Sequence, residues 1–577
     1  MDYQRVMKVA RGVISAELVL KQAKIINVYT GEIELGDIAI ENGTIVGIGS
    51  YRGEIEHNME GRFVAPGFID GHVHIESSML TPPGFSKIVV PKGTTTVIAD
   101  PHEIANVCGI KGIQFMLDSS EKVPMNVYMM IPSCVPATKD ENNGETVSVS
   151  DIATFLKHPR VLGLGEVMDY PSVIYGEDDI HKKIELMKNK KIDGHAPDVM
   201  GKDLNAYIAA GVATDHECTY ADSMIARIKR GMYVHLREGS QTRNTNALLK
   251  GLNKDNINRV LFCTDDKHPF DIKEEGHINF NVNLAIKAGI APIDAIKMAT
   301  LNAANCYGLP HLGGIAPNKQ ADLIVFSDLY HIEPEIVYFK GKVVAKNGEP
   351  VFKAEAKIPD SVLNTIHLDE KLSFDLNLKG PDVKVIGLIS NNITTNELIR
   401  KVKVEKGKFV YDRQVDILKL AVVERHHHTG NVGVGLVEGF GLKDGALAMT
   451  IAHDSHNLII VGSNDNDMQV AAKKIQEIQG GIVLVQNGVV TEFLELEVGG
   501  IMTAHSELLV QETLLRMKRK IQKMGLNPKV SDPFISLAFL ALPVIPKLKL
   551  TDRGLFDVDL FKIVPIESNK KVKAWAL

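Results

Sequence analysis

Between residues 66 and 310 the chain repeats one unit: an apolar run of strand length ending on polar, often titratable residues, then a stretch with helical spacing. The eight runs are APGFIDGHVH, GTTTVIADPH, NVYMMIPS, VLGLGEVMD, KIDGHAP, GVATDHE, MYVHLREGS and VLFCTDDKHP. DIATFLKHP and GKDLNAYIAAG are examples of what lies between them. Strands alternating with helices imply a parallel sheet. Eight such units fill about 250 residues when the sheet closes on itself. The expected fold is therefore α/β, a (β/α)₈ TIM-like barrel over 66–310.

Shorter strand-like runs flank the barrel. Leu18-Val19-Leu20 and Ile25-Ile26 precede IAIENGTIVGIG, where Asn42-Gly43 between apolar runs is a strong hairpin signal. ADLIVFSD (321–328) and IVYFKGKVVAKNG (336–348) repeat that character downstream. Segments 1–65 and 311–365 are expected to pair into one small β-domain with the barrel inserted between them. Past the polar stretch KAEAKIPDSVLNTIHLDEKLS, residues 366–577 are expected to form an α+β domain. There Asp465 is the expected N-cap of a helix carrying Met468, Ala471, Ile475 and Ile478 on one face, ended by Gly480. GIVLVQNGVV predicts a hairpin about Asn487-Gly488, and Val510, Leu514, Met517, Ile521 and Met524 mark a second helix closed by Gly525.

Composition narrows the partners. A net charge of −6 leaves no basic excess for binding nucleic acid or an anionic membrane. No run reaches the roughly 18 apolar residues of a membrane helix, and the N-terminus lacks a signal-peptide pattern. The five cysteines are scattered, with no C-x-x-C, which fits a reducing compartment. A cytoplasmic protein acting on a small polar molecule is expected.

In a parallel barrel, functional groups sit where the strands end, because the loops there converge on one mouth. The first run ends in His72-Val73-His74, and residues i and i+2 of a strand face the same side. The fourth supplies Glu166, the fifth His195, the sixth His216 and Glu217, and the eighth Asp265-Asp266. Histidine and carboxylate without cysteine suit Zn²⁺, Mn²⁺ or Fe²⁺. Four histidines and Asp265 satisfy one ion; Glu166 adds a carboxylate able to bridge to a second, about 3.5–4 Å away, with a shared hydroxide as nucleophile.

VAPGFIDGHVH, the strand-end Glu166, His195, His216 and Asp265, and the closing GGIAPNKQADLIVFSDL resemble the amidohydrolase superfamily. In that superfamily the barrel is inserted in a small β-sandwich, in agreement with the split strands. The resemblance assigns the metal roles to His72, His74, Glu166, His195, His216 and Asp265, with Glu166 where many members carry a carboxylated lysine. Over nearly the whole chain the finer resemblance is to the family of microbial adenine deaminases. HVHIESSML, TTTVIADPHEIANVCG, GLGEVMDYP and FCTDDKHPFDI carry it, as do the downstream blocks beginning HHHTGNVGVG and FISLAFLALP. It implies hydrolysis of adenine to hypoxanthine and ammonia, a purine-salvage reaction, with two divalent ions per subunit: Mn²⁺ or Fe²⁺, with Zn²⁺ as the alternative.

On that reading a metal-bridged hydroxide attacks C6, Asp265 carries its proton to the departing amino group, and Glu217 protonates ring N1. The alternative for Glu217 is orienting a ligand imidazole. Asp266 rivals Asp265 as the ligand, because neighbouring strand residues point opposite ways; family usage after a Thr264-like position favours Asp265. Glu76, Ser77, Ser78, His102, Glu103 and Asp266 are candidates for binding substrate, and His235, Arg237 and Glu238 either join them or form a rim. His426, His427, His428 and the motif His453-Asp454-x-His456 either bind another metal, close over the barrel mouth or pack between domains. A homo-oligomer, dimer or higher, is expected on general grounds. The rival functions are an amidohydrolase for another substrate, such as an amino-sugar deacetylase or cyclic amidase, and an inactive barrel serving as a scaffold.

Overall fold

Each of the eight apolar runs is a strand in the computed structural model of the protein, which describes residues 3–390 and 392–568. Residues 1–2 and 569–577 of the expected terminal domains lie outside the described residues. The strands are β1 (Phe68–Val73), β2 (Thr94–Ala99), β3 (Asn126–Ile131), β4 (Val161–Val167), β5 (Lys191–Gly194), β6 (Thr214–Asp215), β7 (Tyr233–Arg237) and β8 (Val260–Cys263). β1, β2 and β8 are buried at every residue, the pattern of a sheet covered on both faces. Hydrogen bonding orders the strands β5-β4-β3-β2-β1 and β6-β7-β8, all parallel. Val73 bridges Asp265 at one seam, and the Ala213 N–H donates to Ile192 O at 2.9 Å at the other, closing the barrel.

The helices follow from local chemistry. Ser148 opens Val149–Phe155 with a capping box: its side chain accepts from the Asp151 N–H, and the Asp151 carboxylate takes the Ser148 N–H. Gly201–Ala209 buries Leu204 and Tyr207 against the barrel. No helix among the described residues is long and apolar enough to cross a membrane. The five cysteines are buried and unbridged.

The flanking segments form one sheet. Strand Phe63–Pro66 pairs in parallel with Ala16–Asn27 and antiparallel with Leu323–Phe326, so the sequence-distant halves meet there. The Ile45 N–H donates to Lys319 O at 2.8 Å, curling the sheet over as a small sandwich around Leu20, Ile38, Ile45, Val64 and Leu323. The hairpin at Asn42-Gly43 has φ 49° and 71°, the left-handed pair that a type I′ turn requires. Gly67 links sandwich to barrel at a close approach: a Cβ there would lie 2.1 Å from Thr95 Oγ1.

The C-terminal domain is built on an eight-stranded sheet with helix Asp465–Glu477 on one face. The alternation of Ile417–Val423 shows how its two faces are used. Ala421 and Val423 pack toward Met468, Ala471 and Ile475 of the helix, while Leu418, Leu420 and Val422 join the apolar core that also contains Met79, Ile104 and Val107 of the barrel. The sheet is thus seated on the barrel through a continuous core. The helix N-cap is Asn464, not Asp465: Asn464 accepts the Asp467 N–H, and Asp465 occupies the first helical position, where its charge favours the positive helix end. The second helix runs Glu507–Lys523, with Gly525 at φ 105° just beyond it.

Candidate metal centre

Six side chains from β1, β4, β5, β6 and β8 converge at the barrel mouth. His74 Nε2 lies 3.2 Å from Glu166 Oε1 and 3.0 Å from Asp265 Oδ1. His72 Nε2 is 3.2 Å from His74 Nε2 and 3.7 Å from Asp265 Oδ1. The other oxygen of Glu166 faces the opposite side: Oε2 is 2.6 Å from His195 Nδ1 and 3.2 Å from His216 Nε2. Glu166 therefore presents one oxygen to each of two histidine pairs.

The backbone is arranged for this. Asp70 accepts the N–H groups of His72 and Thr264 and the Thr264 hydroxyl, locking β1 to β8 beneath the cluster. Asp100 Oδ2 accepts the Glu166 N–H at 2.8 Å. The Tyr207 hydroxyl donates to Val167 O and accepts from the His195 N–H, tying the ends of β4 and β5. Asp265 lies past the end of β8 at φ 59°, a left-handed conformation that Asp tolerates better than most residues.

Two tests bear on whether these residues suit metal ions. The first is unmet polar capacity: His195 Nε2 is buried with no hydrogen-bond partner among the described residues. The second is the donor set: His72-His74-Glu166 and Glu166-His195-His216 each bring their ligand atoms within 4.8 Å of one another and share Glu166. His74 Nδ1 is 2.9 Å from Asp100 O, which fixes the proton there and leaves Nε2 free to ligate. Both fit a metal-binding site.

Charge state follows from the surroundings. Burial would raise Glu166, but the charge of His195 and hydrogen bonds from His102, His195 and His216 outweigh it and hold the carboxyl well below its usual range. Burial opposes ionisation of Asp265 too, and is overcome by the Arg237 charge and by bonds with His72 and His74. Arg237 Nη1 donates to Asp265 Oδ2 at 2.6 Å and to Glu217 Oε1. Against the cost of burial, the same guanidinium keeps Glu217 ionised, with help from His195 and His216.

The cluster opens into a small cavity of about 30 Å³, whose wall includes His102, Glu103, Asp266, Glu217 and Arg237 from the barrel. The C-terminal domain supplies the rest of the wall: Ile393, His453, Asp454, Phe539, Leu542 and Ile545. Met168, Glu217, Arg237, Thr242, Ile393 and Ile545 also line an adjoining cleft of about 1560 Å³ that reaches the exposed Tyr175, a path between cluster and surface. Of the expected substrate-binding residues, Glu76 and Ser78 are placed elsewhere. Glu76 accepts the N–H of Ile104 in the helix that follows β2, and Ser78 donates to Ile75 O within the turn after β1. Ser77 is also off the cavity wall and donates to Asp266. His235 packs on Tyr307 below the site, and Glu238 accepts from Thr245, leaving Arg237 as the β7 side chain in the cavity.

The C-terminal histidines divide by role. His453 Nδ1 lies 2.7 Å from Glu103 Oε1, and His456 Nε2 bonds Glu103 Oε2, so these two close over the barrel mouth. His426 meets Ser455 O and His427 meets Asn143 O, in a turn whose N–H groups converge on Glu424. His102 Nδ1 is 3.2 Å from Glu166 Oε1 and its Nε2 3.3 Å from Glu103 Oε1, joining the clasp to the cluster. Sequence reasoning missed Phe539 and Ile393 as cavity residues, since they lie in segments with no strand-end signature, whereas Asp454 belongs to a motif already expected near the barrel mouth.

Residues 63–351 match the sequence model described as the amidohydrolase family, and residues 392–562 match the adenine deaminase C-terminal domain. The chain is 47% identical to adenine deaminase 2 of Carboxydothermus hydrogenoformans, covering 97% of this chain and 98% of that protein. It is 45% identical to the adenine deaminase of Clostridium acetobutylicum, over 96% of this chain and 98% of that one. With the adenine deaminase of Geobacillus kaustophilus the figures are 46% identity, 96% and 97%.

Proposed function

The chain belongs to the amidohydrolase family and, within it, to the adenine deaminases, and we infer that it hydrolyses adenine to hypoxanthine and ammonia at the barrel-mouth cluster. One observation carries this reading. The histidine-carboxylate cluster lies directly under a C-terminal domain that matches the adenine deaminase model, and both contribute to one cavity wall.

His72, His74, His195, His216, Glu166 and Asp265 would hold two divalent ions, with Glu166 shared between them. Mn²⁺ or Fe²⁺ suit this oxygen- and nitrogen-rich set, and Zn²⁺ is the alternative. The chemistry such ions supply is activation of water near neutral pH.

The protein's own groups handle the protons. Deamination consumes one water, whose two protons end on N1 of hypoxanthine and on ammonia. Glu217, ionised at rest, takes the first proton and delivers it to N1 as charge builds there. Asp265 takes the second from the oxygen now bonded to C6 and passes it to the departing amino group. Arg237 touches both carboxylates, holding them in place and stabilising each while it is anionic. The cavity wall of Met168, Ile393, Leu542 and Ile545 excludes water around a flat heterocycle. Assembly as a homo-oligomer completes the reading.

The test is an ultraviolet assay of metal-supplemented protein with adenine and adenosine in parallel, with and without chelator. Conversion of adenine to hypoxanthine, lost on chelation and far slower for adenosine, is the expected result. Absence of adenine turnover with Mn²⁺, Fe²⁺ or Zn²⁺ overturns the substrate and moves the reading to an amidohydrolase for another one.

A further inference from the structure

Asp454 stands on the cavity wall on the side supplied by the C-terminal domain, 2% exposed. Its Oδ2 has no hydrogen-bond partner among the described residues, and its Oδ1 comes no nearer than 3.9 Å to His102 Nε2 and 4.0 Å to His453 Nδ1. The other acids of the wall have partners. Glu166 and Asp265 face the histidines, Glu217 is held by Arg237, Glu103 is clasped by His453 and His456, and Asp266 takes the Ser77 hydroxyl. A buried carboxylate with an unused oxygen is costly unless a ligand brings a donor to it.

Adenine carries two kinds of N–H. The exocyclic amino group at C6 must lie at the Glu166-Asp265 end, where the bond is broken. The imidazole-ring N–H is on the far side of the same flat ring. The C-terminal part of the wall carries none of the six clustered side chains, and there Phe539 stacks on the His453 ring at 4.4 Å with 27° between planes, near Asp454.

We propose that Asp454 is the specificity residue of this site, accepting the imidazole N–H of adenine and so selecting the free base over N9-substituted adenines. A nucleoside has no N–H at that position, so its binding would bury the carboxylate unpaired. This inference rests on the adenine reading above and adds which atom of the base is recognised, and by which domain.

The experiment compares adenine with 9-methyladenine, in which that N–H is blocked by a single methyl group, in the wild type and the D454N and D454S variants. Metal content is measured on each preparation. Binding of hypoxanthine and 9-methylhypoxanthine is followed by calorimetry on the same protein. For D454N we expect kcat/KM on adenine to fall roughly 10- to 100-fold, mainly through KM, as for a lost hydrogen bond to a charged group. The preference for adenine over 9-methyladenine should shrink about 10-fold or more, hypoxanthine affinity should fall in parallel, and metal content should stay at the wild-type level. D454S should show the same narrowing, and serves alone if D454N does not fold. An equal loss on both substrates with the preference intact, or a loss of metal, overturns the assignment. Wild-type protein that does not turn over adenine overturns the deaminase reading itself, and Asp454 recognition falls with it. Adenine turnover with discrimination unchanged in both variants removes this inference alone.

Discussion

His453 of the C-terminal domain lies 2.7 Å from Glu103 of the barrel, its Nδ1 facing Oε1. His456 from the same loop bonds the other oxygen, and its Nδ1 accepts the Ala452 N–H, so the proton sits on Nε2, where Glu103 needs it. One buried carboxylate thus joins the two halves of the site. Replacing Glu103 by Ala leaves two buried imidazoles without their acceptor and should cost about 3 kcal/mol of stability. Glu103→Gln should cost less, since the amide oxygen still accepts one bond. Urea unfolding of both variants checks this; a midpoint for Glu103→Ala equal to wild type rules the clasp out as a stabilising element.

Glu166 presents one oxygen to each histidine pair, so Glu166→Gln should do more than weaken one ligand. Bound metal should fall from two ions per chain to one or none, and turnover by more than about 100-fold, beyond the effect expected of an outer-shell partner. Elemental analysis alongside the adenine assay decides it. Retention of two ions with near-normal turnover contradicts a bridging role.

What was legible in the sequence, and what was not, divides along physical lines. The barrel could be read because doubly covered strands must be apolar, and their functional ends break that run; β1, with His72 and His74, shows both features. The choice between Asp265 and Asp266 could not be read, because strand alternation ceases to hold there. β8 ends at Cys263, and Asp265 has φ 59°, so its direction is set by the turn and by its bridge to Val73. Part of the C-terminal contribution was illegible for another reason. Asp454, Phe539 and Ile393 are far apart in sequence, and only the docking of the sheet on the barrel brings them to one wall. Asp465 was misplaced by one residue because Asn464 and Asp465 are both good caps, and only the backbone distinguishes them.

The two adjacent aspartates should separate cleanly by mutation. Asp265 Oδ1 lies 3.0 Å from His74 Nε2, whereas Asp266 accepts the Ser77 hydroxyl. Asp265→Asn should lose metal and turnover together; Asp266→Asn should keep its metal and show a raised KM. Parallel metal analysis and kinetics would expose a reversed pattern, which would exchange their roles.

Glu217 and Arg237 form a buried pair at the neck between cavity and cleft. Glu217→Gln removes the proton carrier assigned to N1 without replacing any of the six clustered residues, and should lower kcat by about 10²- to 10⁴-fold at unchanged metal content. Full activity in the Glu217→Gln variant would return Glu217 to a purely positioning role.

Lys549 offers a test of the C-terminal wall that does not involve the metals. Its Nζ is fully buried and donates to Ile393 O at 2.7 Å and Phe539 O at 2.8 Å, pinning two cavity-lining segments from behind. Burial pushes its pKa down to about 7 from the usual 10.5. Between those values the unfolded chain holds a proton that the folded chain has released. Stability should therefore rise with pH across that window and be least favourable below about pH 7. Lys549→Met removes this dependence, so the difference in unfolding midpoint between variant and wild type should shift toward the wild type as pH rises from 7 to 10. It also leaves two carbonyls without their donor, so the variant should bind adenine more weakly, with a raised KM at all pH values. A midpoint difference independent of pH means that Lys549 stays protonated in the fold and acts as a charged latch on the two carbonyls.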